Sequence, residues 1–272
     1  MKSKYLISSL TILFTLISCT STKVPAYITD SEEKEFLFKY SVGDTYNFES
    51  TVNETVKING IKNHTAEIVN KAVFQIVETD ENGRGFIIAN YSTAEISKSS
   101  NSREKRNFNR EYESQYWRDI RGNYEIEKKY FMPVVRNMPV FPDYAIKPGD
   151  SWIADGYEAH DLRRTFKNEE PYMVPFSATY TYLGDKYENE RGKIFQVISV
   201  NYSLFCEYPI LENDNKDDFL LHVQGESNQL IWWDYKNGQI DHYTEDFKIH
   251  IKTVRGNKFD FSRKTTGKFL KN

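Results

Sequence analysis

Residues 176–208 read FSATYTYLGDKYENERGKIFQVISVNYSLFCEY. Phe176, Ala178, Tyr180 and Tyr182 alternate with Ser177, Thr179 and Thr181, the period-2 pattern of a strand with one buried and one solvated face. Asn189 to Gly192 supplies a turn, after which Ile194, Ile198, Val200, Tyr202 and Leu204 share one face of a returning strand. Two long alternating runs joined by a short turn form an antiparallel pair.

The pattern spreads outward from there. Downstream, 219–235 is strand-like and closes on Asn237-Gly238. Tyr243, Phe247, Ile249 and Ile251 then fall on one face and Lys248, His250 and Lys252 on the other. Arg255-Gly256-Asn257 turns the chain into a last strand from Lys258 to about Phe269. Upstream, a Thr/Val-rich stretch ends at Ile58 and meets Asn59-Gly60, a hairpin signal because both residues tolerate positive φ. Strands at 66–79 and 84–96 flank the turn Asp80-Glu81-Asn82-Gly83, with Ile87, Ala89 and Tyr91 on one face. The expected fold is all-β: a long-stranded antiparallel meander forming a curved sheet or open half-barrel, since long strands must twist and coil. Helical signal is scarce. Its best candidate is Arg103–Arg118, where Glu104, Arg106, Arg110 and Glu111 could make solvated helix pairs. The stretch from about 100 to 175 carries Pro133, Pro139, Pro142, Pro148, Pro171 and Pro175 and reads as a loop-rich insert.

Composition narrows the function classes. The chain has 272 residues, 36 Lys plus Arg against 39 Asp plus Glu, and 15% aromatics. So many rings argue against disorder. The near-neutral balance argues against nucleic acid as a partner, because phosphate binding needs a basic excess. Polytopic helical membrane proteins need several apolar spans of about 20 residues each, a composition this chain lacks.

The first residues give an address. Lys2 and Lys4 precede an apolar run, Leu6–Ile17, too short for a permanent span and suited to a secretory signal. The run ends in Leu16-Ile17-Ser18-Cys19, which resembles the lipobox of bacterial lipoproteins. That resemblance implies a signal peptide over 1–18, acyl chains such as palmitate on Cys19, a lipidated tether over 19–35, and a single β-rich envelope domain over 36–272. Several acyl chains give a stable membrane anchor where one does not. Thr20 after the cysteine, rather than Asp, points to the outer membrane, with the domain facing the periplasm. With Cys19 acylated, Cys206 has no disulfide partner and reads as a buried, inert thiol.

The middle holds the most distinctive words: YESQYWRDIRGNYEIEKKYFMPVVRNMPVFPD (112–143) and IKPGDSW (146–152). With the opening FKYSVGDTYNFESTVNETVKING (38–60), these blocks resemble the amino-terminal β-rich region of spirochaete-type OmpA-family envelope lipoproteins. The resemblance implies an envelope location and a similar β-domain. Those proteins continue into an OmpA-like domain that holds peptidoglycan. No segment here matches it, so peptidoglycan binding is not supported. A looser likeness, at the level of fold, is to the curved half-barrels of LolA-like lipoprotein carriers.

Candidate site residues are few. Arg118, Asp119, Arg121 and Arg136 could form buried ion pairs pinning the insert, or a pocket for an anion, since arginine forks match carboxylate and phosphate. His160-Asp161 with Arg163 reads the same way; as a catalytic dyad it would need a nucleophile, and none is marked. In IKPGDSW, Pro148 and Gly149 make a turn from which Trp152 re-enters the core. No HExxH, CxxC, Walker-type loop, GxGxxG or GxSxG is present, so neither catalytic residues nor a metal or cofactor are expected. The function these features lead one to expect is a non-enzymatic, lipid-anchored periplasmic binding or assembly module, with an envelope protein or lipid as partner. The alternatives are a LolA-like carrier of lipid or lipoprotein acyl chains in a concave sheet and an envelope hydrolase using His160 or scattered carboxylates.

Overall fold

A computed structural model describes residues 27–100, 105–161, 163, 169–209, 220–253 and 255–271. The expected signal peptide, Cys19 and the start of the tether lie outside the described residues. The strands are β1 (Thr45–Ile58), β2 (Ile61–Thr79), β3 (Gly85–Ser99), β4 (Lys105–Arg118), β5 (Tyr124–Ile126), β6 (Val135–Arg136), β7 (Ser151–His160), β8 (Tyr172–Glu188), β9 (Lys193–Pro209), β10 (Leu220–Asp234), β11 (Gln239–Thr253) and β12 (Lys258–Lys271). They form one antiparallel sheet in the order β5-β4-β3-β2-β1-β12-β11-β10-β9-β8-β7-β6, rolled into a nearly closed barrel with one unsealed seam. The expected all-β meander and open, curved sheet are therefore what the chain adopts.

The first and last strands pair, Tyr46 with Lys271 through Ile58 with Phe259, so the two ends of the meander meet in the middle of the sheet. The seam falls instead in the middle of the sequence, between β5 and β6. Those edge strands are three and two residues long. Pro133 and Pro139 flank β6 and Pro142 follows, and a proline has no N–H to give a ladder. At one end of the seam Asp161 lies within electrostatic range of Arg110, and Arg163 of Tyr112, so β7 and β4 approach each other there.

Turn chemistry is as expected at Asn59-Gly60, where φ is 51° and 82°. The period-2 pattern sorts side chains cleanly. Tyr180, Tyr182, Val200 and Trp233 are fully buried inside. Outward positions of β11 and β12 carry exposed Asp246, Lys248, His250, Lys252, Ser262, Lys264 and Lys268. The outer faces of β11 and β12 therefore lack the apolar band of strands that face lipid.

Three expectations need correction. Residues 105–118 are strand, not helix: β4 pairs with β3 from Lys98–Lys105 to Gly85–Arg118. Tyr112, Ser114 and Tyr116 face in while Glu111, Glu113 and Gln115 are exposed, a period of two that the i,i+4 charges hide. The 100–175 stretch is not simply a loop-rich insert, since it supplies β4, β5, β6, β7 and the start of β8. The tether is also shorter than 19–35. Ile28 N–H bonds to Asp185 O at 2.7 Å, Lys34 N–H to Ile146 O at 2.8 Å, and Phe38 N–H to Ile120 O at 2.8 Å. The reason is apolar burial. Phe36 and Phe38 sit among Phe141, Tyr182 and Trp233, with Phe38 4.8 Å from the Trp233 ring in an edge-on contact.

Candidate functional site

Inside the barrel, between the β1–β4 wall and the β10–β12 wall, lies a cavity of about 310 Å³. Its floor is the segment Met132 to Pro139 before and after β6. Its walls are rings that alternation turns inward: Phe48 and Phe74 from β1 and β2, Tyr116 and Tyr124 from β4 and β5, and Tyr243 and Phe269 from β11 and β12. Gly267 makes room for one of them, because a Cβ there would lie 2.2 Å from the Tyr243 ring. Tyr243 uses that space to stack on Phe48, with centroids 6.3 Å apart and planes 2° from parallel.

A few polar groups interrupt the apolar lining. Ser50 accepts from Asn70 Nδ2 at 3.1 Å. Across from it, Glu245 accepts from Ser227 Oγ at 2.6 Å and Gln229 Nε2 at 2.9 Å. Desolvation outweighs these bonds and pushes its carboxyl above the usual 4.5. Arg118, two residues beyond Tyr116, faces the same interior. Its guanidinium carbon lies 3.6 Å from the Phe38 ring centre and 4.9 Å from that of Tyr124. Its Nε and Nη2 are sealed from solvent and have no hydrogen-bond partner among the described residues.

The residues singled out in the sequence separate rather than cluster. Asp119 does not pair with an arginine. Its Oδ1 accepts the N–H groups of Arg121, Gly122 and Asn123 at 2.9, 2.7 and 2.8 Å and so ties the turn after β4. Arg121 reaches Glu35 at 2.5 Å and the Pro142 carbonyl at 2.6 Å, pinning the N-terminal segment to the loop. Arg136, only 4% exposed, donates to the carbonyls of Pro133 and Tyr130. The expected network of buried ion pairs is therefore absent among these four, apart from the Arg121–Glu35 contact. Asp161 is held by Arg163, at 2.7 and 2.8 Å, and not by His160.

His160 belongs to a different chain of contacts. Its Nε2 is 3.0 Å from Glu158 and its Nδ1 2.9 Å from the Tyr208 hydroxyl, while Tyr202 donates to the other oxygen of Glu158 at 2.7 Å. Both ring nitrogens are thus engaged. Burial raises the Tyr208 phenol and the nearby Cys206 thiol, so neither is poised as a nucleophile. Sequence reasoning passed over Glu158 and Glu245. Both were marked by position, since each falls on the inward face of its strand between apolar neighbours, where a carboxylate is out of place.

No family model matches the sequence, and neither does any curated protein. Solved structures do. An outer membrane channel from Pseudomonas putida F1 superposes with a TM-score of 0.37 at 8% identity, covering 89% of this chain and 100% of that one. OccK7 (OpdD) of Pseudomonas aeruginosa gives 0.33 at 9% identity over 85% and 100%. The β domain of the Bordetella autotransporter BrkA gives 0.30 at 6% identity over 83% and 99%. The matching structures are described as an outer membrane channel, OccK7 and an autotransporter β domain, and the functional expectation drawn from the sequence, a periplasmic binding or assembly module with a carrier or a hydrolase as alternatives, is withdrawn. The contacts of His160 add a reason against the hydrolase, since no activated nucleophile lies beside it among the described residues.

Proposed function

We propose that this chain is a barrel that retains one small molecule in its interior, in the cavity beneath Tyr243 and Phe48. The observation that carries this reading is the cavity itself: about 310 Å³ of space lined by rings and bordered by a few buried polar side chains. Ligand sites are mostly apolar, concave, roughly 300–1,000 Å³ in volume, and equipped with a small number of convergent polar groups. A void left by imperfect packing would be costly, at about 24 cal/mol per Å³, and this one is large. The space fits a compact molecule enclosed by the sheet.

Uptake of N-phenyl-1-naphthylamine, a small uncharged dye, tests it by fluorescence and equilibrium dialysis. The full mature chain is expected to take up one dye per molecule. Val135→Trp and Ile240→Trp, which fill the space from two sides, are expected to weaken uptake about tenfold with unchanged circular dichroism. No uptake by the unaltered chain, or equal uptake by both filled variants, overturns the reading.

The proposed address is the outer membrane, through acyl chains on Cys19. Lys2, Lys4, the apolar run and Leu16-Ile17-Ser18-Cys19 support it. Kinship with the β-rich region of the spirochaete-type lipoproteins is proposed on the blocks at 38–60 and 112–143. Palmitate labelling of the chain, lost in Cys19→Ser, is the expected result; an unlabelled chain would sink the anchor.

A further inference from the structure

We infer that the molecule held in the cavity is an anion, a compact aromatic compound whose one carboxylate, sulfonate or phosphate is taken by Arg118. This deepens the reading above and rests on it.

Arginine stays protonated in proteins, so burying one demands a counter-charge or full hydrogen bonding. Arg118 has neither. Two of its nitrogens are sealed and unpartnered, and no carboxylate of the described residues lies within ion-pair distance. Asp119, next in sequence, spends its carboxylate on the turn. The buried Arg136 is a second cation facing Tyr116 and Tyr124, and it too lacks a carboxylate. The Tyr116 phenol stays neutral, because burial holds it far above its ordinary range. Phe38 and Tyr124 offer cation–π compensation. They leave the N–H groups of Nε and Nη2 unused, and that edge of the fork matches a planar or tetrahedral anion.

The walls set the rest of the ligand. Phe48, Phe74, Tyr243 and Phe269 present ring faces and edges, against which a flat ring packs with offset or edge-on geometry. Glu245 lines the same space beside Tyr243, so a second negative charge on the ligand would meet a carboxyl there. One anionic group and an apolar body fit both ends.

The test compares two dyes that differ by a sulfonate, 8-anilinonaphthalene-1-sulfonate and N-phenyl-1-naphthylamine, on the full mature chain. The sulfonate dye is expected to bind once per chain and about tenfold more tightly. Arg118→Met should erase that preference and leave the neutral dye within about twofold, and Arg118→Lys should restore part of it because charge returns without the fork. The preference of the unaltered chain is informative even where Arg118→Met does not fold. Equal affinity for both dyes overturns the anion while leaving the interior site standing. Binding of neither dye removes the site itself.

Discussion

The guanidinium carbon of Arg118, on β4, lies 3.6 Å from the centre of the Phe38 ring, where the N-terminal segment crosses the end of the barrel. The two residues belong to elements that no local pattern connects. Phe38 is 2% exposed and also meets Trp233, Tyr40 and Phe141. One ring therefore seals the end of the barrel and supports the only charged group that faces the aromatic half of the cavity with free N–H donors among the described residues.

Phe38→Ala should accordingly be a severe change. Truncating a fully buried phenylalanine costs about 3–5 kcal/mol, because the transfer term is lost and a cavity remains. The midpoint of urea unfolding should fall by a corresponding amount. Phe38→Leu, which keeps most of the volume, should lose less than half as much. A loss below about 1 kcal/mol for the alanine variant would show that the segment does not pack as described.

Glu54 and Arg263 face each other across β1 and β12 at 2.6 Å, with the glutamate side chain 7% exposed and the arginine 34%. The pair sits where the two ends of the meander meet. Removing Arg263 strands a buried carboxylate, so Arg263→Met should destabilise more than the double change Glu54→Gln/Arg263→Met. A double-mutant cycle on unfolding free energies is expected to give a coupling of about 1–3 kcal/mol. Additive effects would mean that the contact contributes nothing beyond its parts.

Glu245 sets a pH dependence of known sign. Its carboxyl is raised in the folded protein, first by desolvation, so the native state binds its proton more tightly than the unfolded chain does. The contribution is full while the group is protonated in both states. It declines as pH climbs from the ordinary glutamate value towards the raised native one, where the unfolded chain has released the proton and the native state must follow. Glu245→Gln keeps an acceptor for Ser227 and Gln229. It should flatten that part of the stability–pH curve and stabilise the protein at pH 7. The acids Asp185, Asp234 and Asp241 are lowered and act with the opposite sign, losing stability as pH falls. Urea titrations at a series of pH values on both chains measure the difference, and identical curves would refute it.

Much of this molecule could be read from alternation alone. Phe176 to Tyr182, Ile198 to Leu204 and Tyr243 to Ile251 announced their inward faces, and Asn59-Gly60 announced its hairpin, because strand period and turn chemistry are local properties. The same reasoning failed at 105–118, where charges spaced for a helix masked a period of two. It also failed to see that Asp119 would cap a turn and leave Arg118 alone. Ladder pairing over the length of β3 decided the first, and the loop geometry after β4 decided the second. Only the tertiary structure could join β1 to β12, draw Phe36 and Phe38 into the barrel, and bring Arg118 to Phe38. Each of those contacts depends on how far the sheet curves and where its edges fall, which are quantities that belong to all twelve strands together and to no single stretch of chain.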